Sequence, residues 1–235
     1  MRRDLVSVGW SLARAAQDEE ANVGTLVTEF RTAMEAHPGG GDGFDLDAAR
    51  ITRFEGPAPD VPWLVKNVVP LGTAGLLYGP GGAGKSTLAF HLAVAVACGA
   101  PEWLGRFDLS HGAGKVFYIA TEDPEAVWHC RVAEALQGMT GEQSRLTLDN
   151  LFLFNLYGRA RPLFTVAGGR LQTSDEYGRL ASTIAQTGDI GLLVLDSRSR
   201  LCGTEGSGNG LVPLEIAALE RLAALSGAAV LLLHH

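Results

Sequence analysis

From residue 63 onward, the chain alternates short apolar runs with segments of helical periodicity. The apolar runs are rich in Val, Leu and Ile without a polar residue at every second position, which is typical of strands buried on both faces of a sheet. They predict strands at 74–78, 116–120, 151–154, 192–195 and 228–233, and the periodic segments predict helices at 85–98, 124–137, 174–187 and 212–226. This alternation predicts an α/β fold with a mostly parallel, doubly wound sheet.

The pattern is different before residue 61. Residues 4–36 place apolar residues on one face at helical spacing and predict a pair of helices. A cluster of Pro and Gly at 37–43 indicates a linker, and 44–62 has no regular pattern. We therefore predict a small N-terminal helical segment with its linker at 1–60 and the main α/β domain at 61–235. Within that domain, 158–173 predicts a loop or a small hairpin.

Composition adds several exclusions. The chain has 235 residues, of which 46% are apolar, enough for a sizeable core. No apolar stretch is long enough to span a bilayer and no secretory pattern opens the chain, so we expect a cytoplasmic protein without a membrane segment. Three cysteines without metal-ligand spacing fit a reducing compartment. The net charge of −7 excludes a nucleic-acid surface over the whole molecule, but it is compatible with a local channel.

The most specific motif lies between the first predicted strand and the first predicted helix. Its sequence fits G-x-x-x-x-G-K-[ST], the phosphate-binding loop. Glycines allow backbone N–H groups to approach phosphate oxygens, and the helix N-terminus adds its dipole. We expect Lys85 to reach the β- and γ-phosphates of ATP and Ser86 to bind Mg²⁺. The predicted nucleotide-binding residues are Gly79, Pro80, Gly81, Gly82, Ala83, Gly84, Lys85, Ser86 and Thr87.

Two further strand ends carry carboxylates. Asp196 follows the apolar run 192–195 and is expected to support Mg²⁺. Hydrolysis also needs a carboxylate that orients or deprotonates water, and Ser197 stands where many ATPases place it. Because parallel strands end at one edge of a sheet, Glu122 after the strand 116–120 is the favoured candidate. Asp123 is the alternative, or it caps the helix that follows.

These motifs together resemble the RecA-like cores of hexameric helicases, and more narrowly the RepA-type replicative helicases of plasmids and phages. The resemblance covers 63–235 and depends on the phosphate loop, the Thr-Glu-Asp-Pro turn at 121–124 and the terminal Leu-His-His. It implies a RecA-like P-loop NTPase, an AAA ATPase domain, in which Glu122 is catalytic and His235 is a polar sensor at the γ-phosphate. It also implies that 197–211 is a DNA-facing loop, with Arg198 and Arg200 as phosphate contacts.

The implied function is an ATP-dependent DNA helicase motor that forms a hexameric ring on single-stranded DNA, with a primase or a replication initiator as a further partner. A RecA-like DNA-binding recombinase and a non-motor regulatory or loader ATPase are the alternatives. Related cores continue beyond the histidine motif with further strands and a basic residue that reaches the neighbouring subunit's ATP. We therefore expect a core truncated after His235, with the strand 228–233 at the edge of its sheet.

Overall fold

The computed structural model describes residues 45–109, 112–167, 170–203 and 211–234. The chain divides into two units, Met1–Pro59 and Asp60–His235. In the first unit, a turn at 46–49 precedes a 3₁₀-helix at Ile51–Phe54, whose side chains are exposed. The predicted helix pair at 4–36 lies outside the described residues.

The second unit contains a parallel five-stranded sheet. Its strands are β3 (Ala74–Tyr78), β6 (Lys115–Ala120), β7 (Leu151–Asn155), β10 (Ile190–Asp196) and β11 (Ala229–His234). Their spatial order is β3-β11-β10-β6-β7, and every neighbouring pair is parallel. The predicted α/β architecture with a parallel sheet is therefore confirmed.

Helices connect these strands and cover the sheet. They are α1 (Lys85–Cys98), α2 (Glu125–Gln137), α3 (Gly141–Asn150), α4 (Asp175–Thr187), α5 (Arg198–Leu201) and α6 (Val212–Ser226). Three short antiparallel hairpins complete the unit: β1 (Trp63–Val65) with β2 (Val69–Pro70), β4 (Glu102–Trp103) with β5 (Phe107–Asp108), and β8 (Phe164–Ala167) with β9 (Arg170–Thr173). The last of these confirms the small hairpin predicted within 158–173. None of the helices in the described ranges combines the length and apolar character needed to cross a bilayer.

Successive side chains of the central strands enter two different hydrophobic cores. Val116 and Tyr118 of β6 pack in the core that contains α1 and Trp128 of α2. Phe117 of β6 packs in the other core, together with Ile184 of α4. Because neighbouring residues of a strand point to opposite faces, both faces of the sheet are covered, as a doubly wound arrangement requires.

One expectation from the sequence is wrong, and one helix was not anticipated. The strand predicted at 228–233 does not lie at an edge, because β11 pairs with both β10 and β3. Among the described strands, the two edges of this sheet are β3, which carries the phosphate loop, and β7. The helix α3 was also not predicted from its polar sequence. The reciprocal bonds between Thr140 and Gln143 at its N-terminus form a capping box that marks its start.

Candidate nucleotide site

The glycine-rich loop connects the C-terminal end of β3 to the N-terminus of α1. Gly82 and Gly84 have φ values of 74° and 82°. Residues with a Cβ rarely adopt this region, so these two positions require glycine for the loop to close. Gly84 also caps α1, and Lys85 is the first residue of that helix. The free N–H groups of the helix N-terminus therefore face the concave side of the loop.

The side chain of Lys85 folds back over the loop. Its Nζ donates hydrogen bonds to the carbonyl oxygens of Gly79 at 2.7 Å and Pro80 at 2.8 Å. Only 8% of the residue is exposed. The ammonium group is thus fixed beside the backbone amides of the loop, where both can bind the oxygens of a phosphate chain. An open cavity of about 540 Å³ adjoins the loop and is lined partly by Thr87, which is exposed.

Asp196 lies at the C-terminal end of β10, opposite Ala120 of β6. The Tyr118 hydroxyl donates to its Oδ2 at 2.8 Å and lies 3.2 Å from the carbonyl oxygen of Ser86. Burial raises the pKa of Asp196, while hydrogen bonds from Ser86 and Tyr118 act in the opposite direction. Burial and the charge of Asp196 raise the pKa of Tyr118, so the phenol stays a donor to this carboxylate.

The two acidic residues after β6 have different partners. Glu122 accepts a hydrogen bond from Ser197 Oγ, directly after β10. Asp123 forms an ion pair with Arg131 of α2, with an N–O distance of 2.7 Å. The residue that caps α2 is Pro124, and no side chain accepts a capping bond there. Glu122 therefore lies beside the Asp196–Ser197 segment, whereas Asp123 is attached to its own helix and does not cap it.

The remaining predicted site residues are Arg198, Arg200 and His235. Arg198 is only 12% exposed in its side chain and forms a two-point ion pair with the fully buried Glu215 of α6. This placement does not favour the phosphate contact predicted for Arg198. Arg200 is exposed on α5, as a DNA contact would need to be. His235 lies outside the described residues, as do 204–210 of the predicted DNA-facing loop.

The donor set fits a magnesium ion held largely by a nucleotide. Ser86 and Asp196 bring one hydroxyl and one carboxylate together, and the Ser86 side chain acts to lower the pKa of Asp196. Mg²⁺ prefers such hard oxygen ligands and usually takes its other ligands from phosphates and water. Within the described part of the chain, no group of three His, Cys, Asp or Glu side chains could hold a metal by itself.

Three residues of the site were not identified from the sequence. They are Tyr118, Ser197 and Thr121. The Oγ1 of Thr121 donates to the Asp196 carbonyl at 2.9 Å. All three are polar residues in or next to apolar strands. A buried hydroxyl needs a hydrogen-bond partner. A Tyr, Thr or Ser in or next to an apolar strand could therefore have been recognised from the sequence as a candidate site residue.

Two comparisons with known proteins found similar sequences or structures. Among solved structures, the crystal structure of the RadB recombinase matches with 20% sequence identity and a TM-score of 0.43, covering 71% of this chain and 62% of that one. The chain thus spans less than two thirds of the length of that protein. The sequence model of the AAA domain family matches residues 42–235. With its phosphate loop, the chain belongs to this AAA domain family and carries a P-loop ATPase domain.

Proposed function

We propose that this ATPase is the motor of a RepA-type replicative DNA helicase and that Glu122 activates the attacking water. The observation that carries the catalytic part is the position of Glu122 beside Asp196. Their strands β6 and β10 are neighbours in the sheet and end at the edge where the phosphate loop lies. Ligands of open α/β sheets bind at this carboxyl edge.

Each side chain then has a role that follows from its position. Lys85 and the loop amides bind the β- and γ-phosphates of ATP. Ser86 and Asp196 would hold Mg²⁺, which would neutralise charge on the phosphate oxygens when bound. Glu122 accepts a proton from water as a general base. Tyr118 keeps the carboxylate of Asp196 oriented through its hydrogen bond of 2.8 Å.

One exposed arginine fits a contact with DNA. Arg200 is exposed on α5, directly after the strand that ends in Asp196. An arginine there fits a contact with the phosphates of single-stranded DNA in the channel of a hexameric ring. His235 is proposed as the γ-phosphate sensor. A primase or a replication initiator is proposed as the partner that brings the ring to DNA.

The catalytic role is tested with Glu122→Gln, with Asp123→Asn as the matched control. Glu122→Gln should bind ATP normally and lose hydrolysis by about 100-fold or more, because general-base catalysis contributes at least this much. Asp123→Asn should lower turnover far less, because Asp123 pairs with Arg131. If Asp123→Asn loses hydrolysis and Glu122→Gln does not, the catalytic assignment is wrong.

The motor role is tested by adding single-stranded DNA to the wild-type protein. We expect faster ATP hydrolysis, ring-shaped particles in electron micrographs and separation of a forked duplex. Filaments on DNA without strand separation would instead support the recombinase alternative. Hydrolysis that does not respond to DNA would leave the regulatory or loader ATPase as the better description.

A further inference from the structure

Ser197 occupies an unusual position between the two acidic side chains of the site. It directly follows Asp196, is fully buried, and its Oγ donates to Oε1 of Glu122. From these contacts we infer that Ser197 is a positioning residue that holds the Glu122 carboxylate in its working orientation. The inference rests on the proposed role of Glu122 in hydrolysis.

The backbone of Ser197 is fixed from the neighbouring strand. Thr121 Oγ1 accepts the Ser197 N–H at 3.1 Å and donates to the Asp196 carbonyl at 2.9 Å. The Thr121 N–H donates to the same carbonyl at 2.8 Å. These three bonds tie the ends of β6 and β10 together, so the Ser197 hydroxyl has a defined position relative to Glu122.

A second hydroxyl determines the direction of the hydrogen bonds. Ser199 Oγ lies 2.8 Å from Ser197 Oγ. A serine hydroxyl has one proton, and Ser197 donates it to Oε1 of Glu122. Ser199 must therefore be the donor to Ser197. The resulting chain runs from Ser199 to Ser197 to Glu122, and each bond polarises and strengthens the next.

The far end of this chain is also anchored. Ser199 lies on the short helix α5, next to Arg198, whose guanidinium binds the buried Glu215 of α6 at 2.8 Å. The Leu201 N–H donates to the Ser197 carbonyl at 3.1 Å and keeps the turn closed. Because both ends of the chain are fixed, the Glu122 carboxylate is pre-oriented before substrate binds, which lowers the barrier to proton transfer.

The test compares Ser197→Ala with wild type in steady-state ATP hydrolysis. We expect kcat to fall by about 10- to 100-fold, because a misplaced catalytic group loses rate by this order. The Kd of a non-hydrolysable ATP analogue should stay within about 2-fold, because the hydrogen bonds described for Ser197 connect it to Thr121, Glu122 and Ser199. Ser199→Ala should give a smaller loss, because it removes only the outer hydroxyl.

Two controls separate positioning from a general structural effect. Ser226→Ala removes another serine hydroxyl, which donates to Leu222 O at 2.8 Å on α6, and should leave kcat unchanged. Single-turnover hydrolysis by Glu122→Gln should not slow further when Ser197→Ala is added, because Ser197 acts through the Glu122 carboxylate.

The outcomes distinguish this inference from the proposed function. If Glu122→Gln hydrolyses ATP like wild type, the role of Glu122 itself fails. If Glu122→Gln is inactive while Ser197→Ala keeps wild-type kcat, only the positioning role is overturned. An equal loss from Ser197→Ala in the wild-type and Glu122→Gln backgrounds would also overturn it.

Discussion

Three carboxylates lie at the carboxyl ends of β6 and β10, and their partners give them different chemistry. Asp196 is buried and bonded by the Tyr118 phenol at 2.8 Å. Glu122 accepts from the Ser197 hydroxyl, while Asp123 pairs with the guanidinium of Arg131 at 2.7 Å. Because the Asp123 carboxylate is held by arginine, we propose Glu122 and not Asp123 as the proton acceptor.

Lys85 is the residue with the most direct test of nucleotide binding. Lys85→Ala removes the ammonium that lies within 2.8 Å of two loop carbonyls. Charge-assisted hydrogen bonds contribute about 1.5–3 kcal/mol, so we expect the Kd for ATP to rise about 10- to 100-fold. Titration with a fluorescent ATP analogue measures the change, and ATP turnover should fall with it.

Lys66 is the matched control for this experiment. It is exposed, and its Nζ lies 3.8 Å from Asp108 at the surface. Lys66→Ala should leave the Kd for ATP unchanged, because an exposed pair of this kind contributes little. Unchanged affinity and turnover in Lys85→Ala would contradict nucleotide binding at this loop.

At the scale of elements, the pair between Arg198 and Glu215 links α5 to α6. The Glu215 side chain is fully buried and the Arg198 side chain is 12% exposed. Burial raises the pKa of the Cys202 thiol, and the charge of Glu215 raises it further. Burying two charges costs a large desolvation free energy. Removing one partner of a buried ion pair therefore destabilises the fold more than removing one partner of a surface pair.

We expect Arg198→Met to lower the free energy of unfolding by about 3–5 kcal/mol, because it leaves a buried carboxylate without its guanidinium. The double variant Arg198→Met/Glu215→Leu should recover most of this loss. Urea unfolding followed by circular dichroism measures both. Arg179→Met is the control, since Arg179 pairs with Glu176 at the surface and should change stability by less than about 1 kcal/mol. A double variant as unstable as the single one would contradict this account.

The elements of the sheet were predictable because their apolar runs are continuous. The strand at 74–78 and the helices at 85–98 and 212–226 have the predicted bounds. The helix α3 was missed because its start depends on a capping box at Thr140 and Gln143 and not on an apolar face. The phosphate loop could be predicted from the spacing of its glycines and Lys85. The partners of Asp196 and Glu122 could not, because they come from residues 75 to 78 positions away along the chain.

At the scale of the whole molecule, strand order decides where the chemistry lies. The strands β11, β10 and β6 are internal, and β10 and β6 supply Asp196 and Glu122 between them. The order of the strands along the chain did not predict that β11 lies between β3 and β10. Since β11 pairs with β3 up to Tyr78, its last residue His234 lies beside the start of the phosphate loop. The Gly79 N–H donates to the carbonyl of His234 at 3.2 Å, which connects the loop to the centre of the sheet.

The stability of the molecule should depend on pH through Asp196. Burial raises the pKa of this carboxyl above its ordinary value of 3.8. The native state therefore binds more protons than the unfolded state between the two pKa values, and the free energy of unfolding falls as pH rises through that window. Above it, the full cost of a buried charge is present. Below pH 3.8 the carboxyl is protonated in both states and this contribution disappears.

Asp196→Asn removes that charge while keeping an oxygen that can accept from Tyr118. We expect the variant to have a higher free energy of unfolding than wild type at pH 7 without nucleotide or Mg²⁺, and the difference to shrink towards pH 4. Urea unfolding across this range measures it, and ATP turnover should be lost at every pH because the carboxylate is needed for Mg²⁺. Asp149→Asn, at an exposed carboxylate on α3, should change stability by less than about 1 kcal/mol. A pH-independent loss of stability in Asp196→Asn would show that the carboxylate is a structural support, whereas the expected gain would show that the fold keeps a destabilising charge for its chemistry.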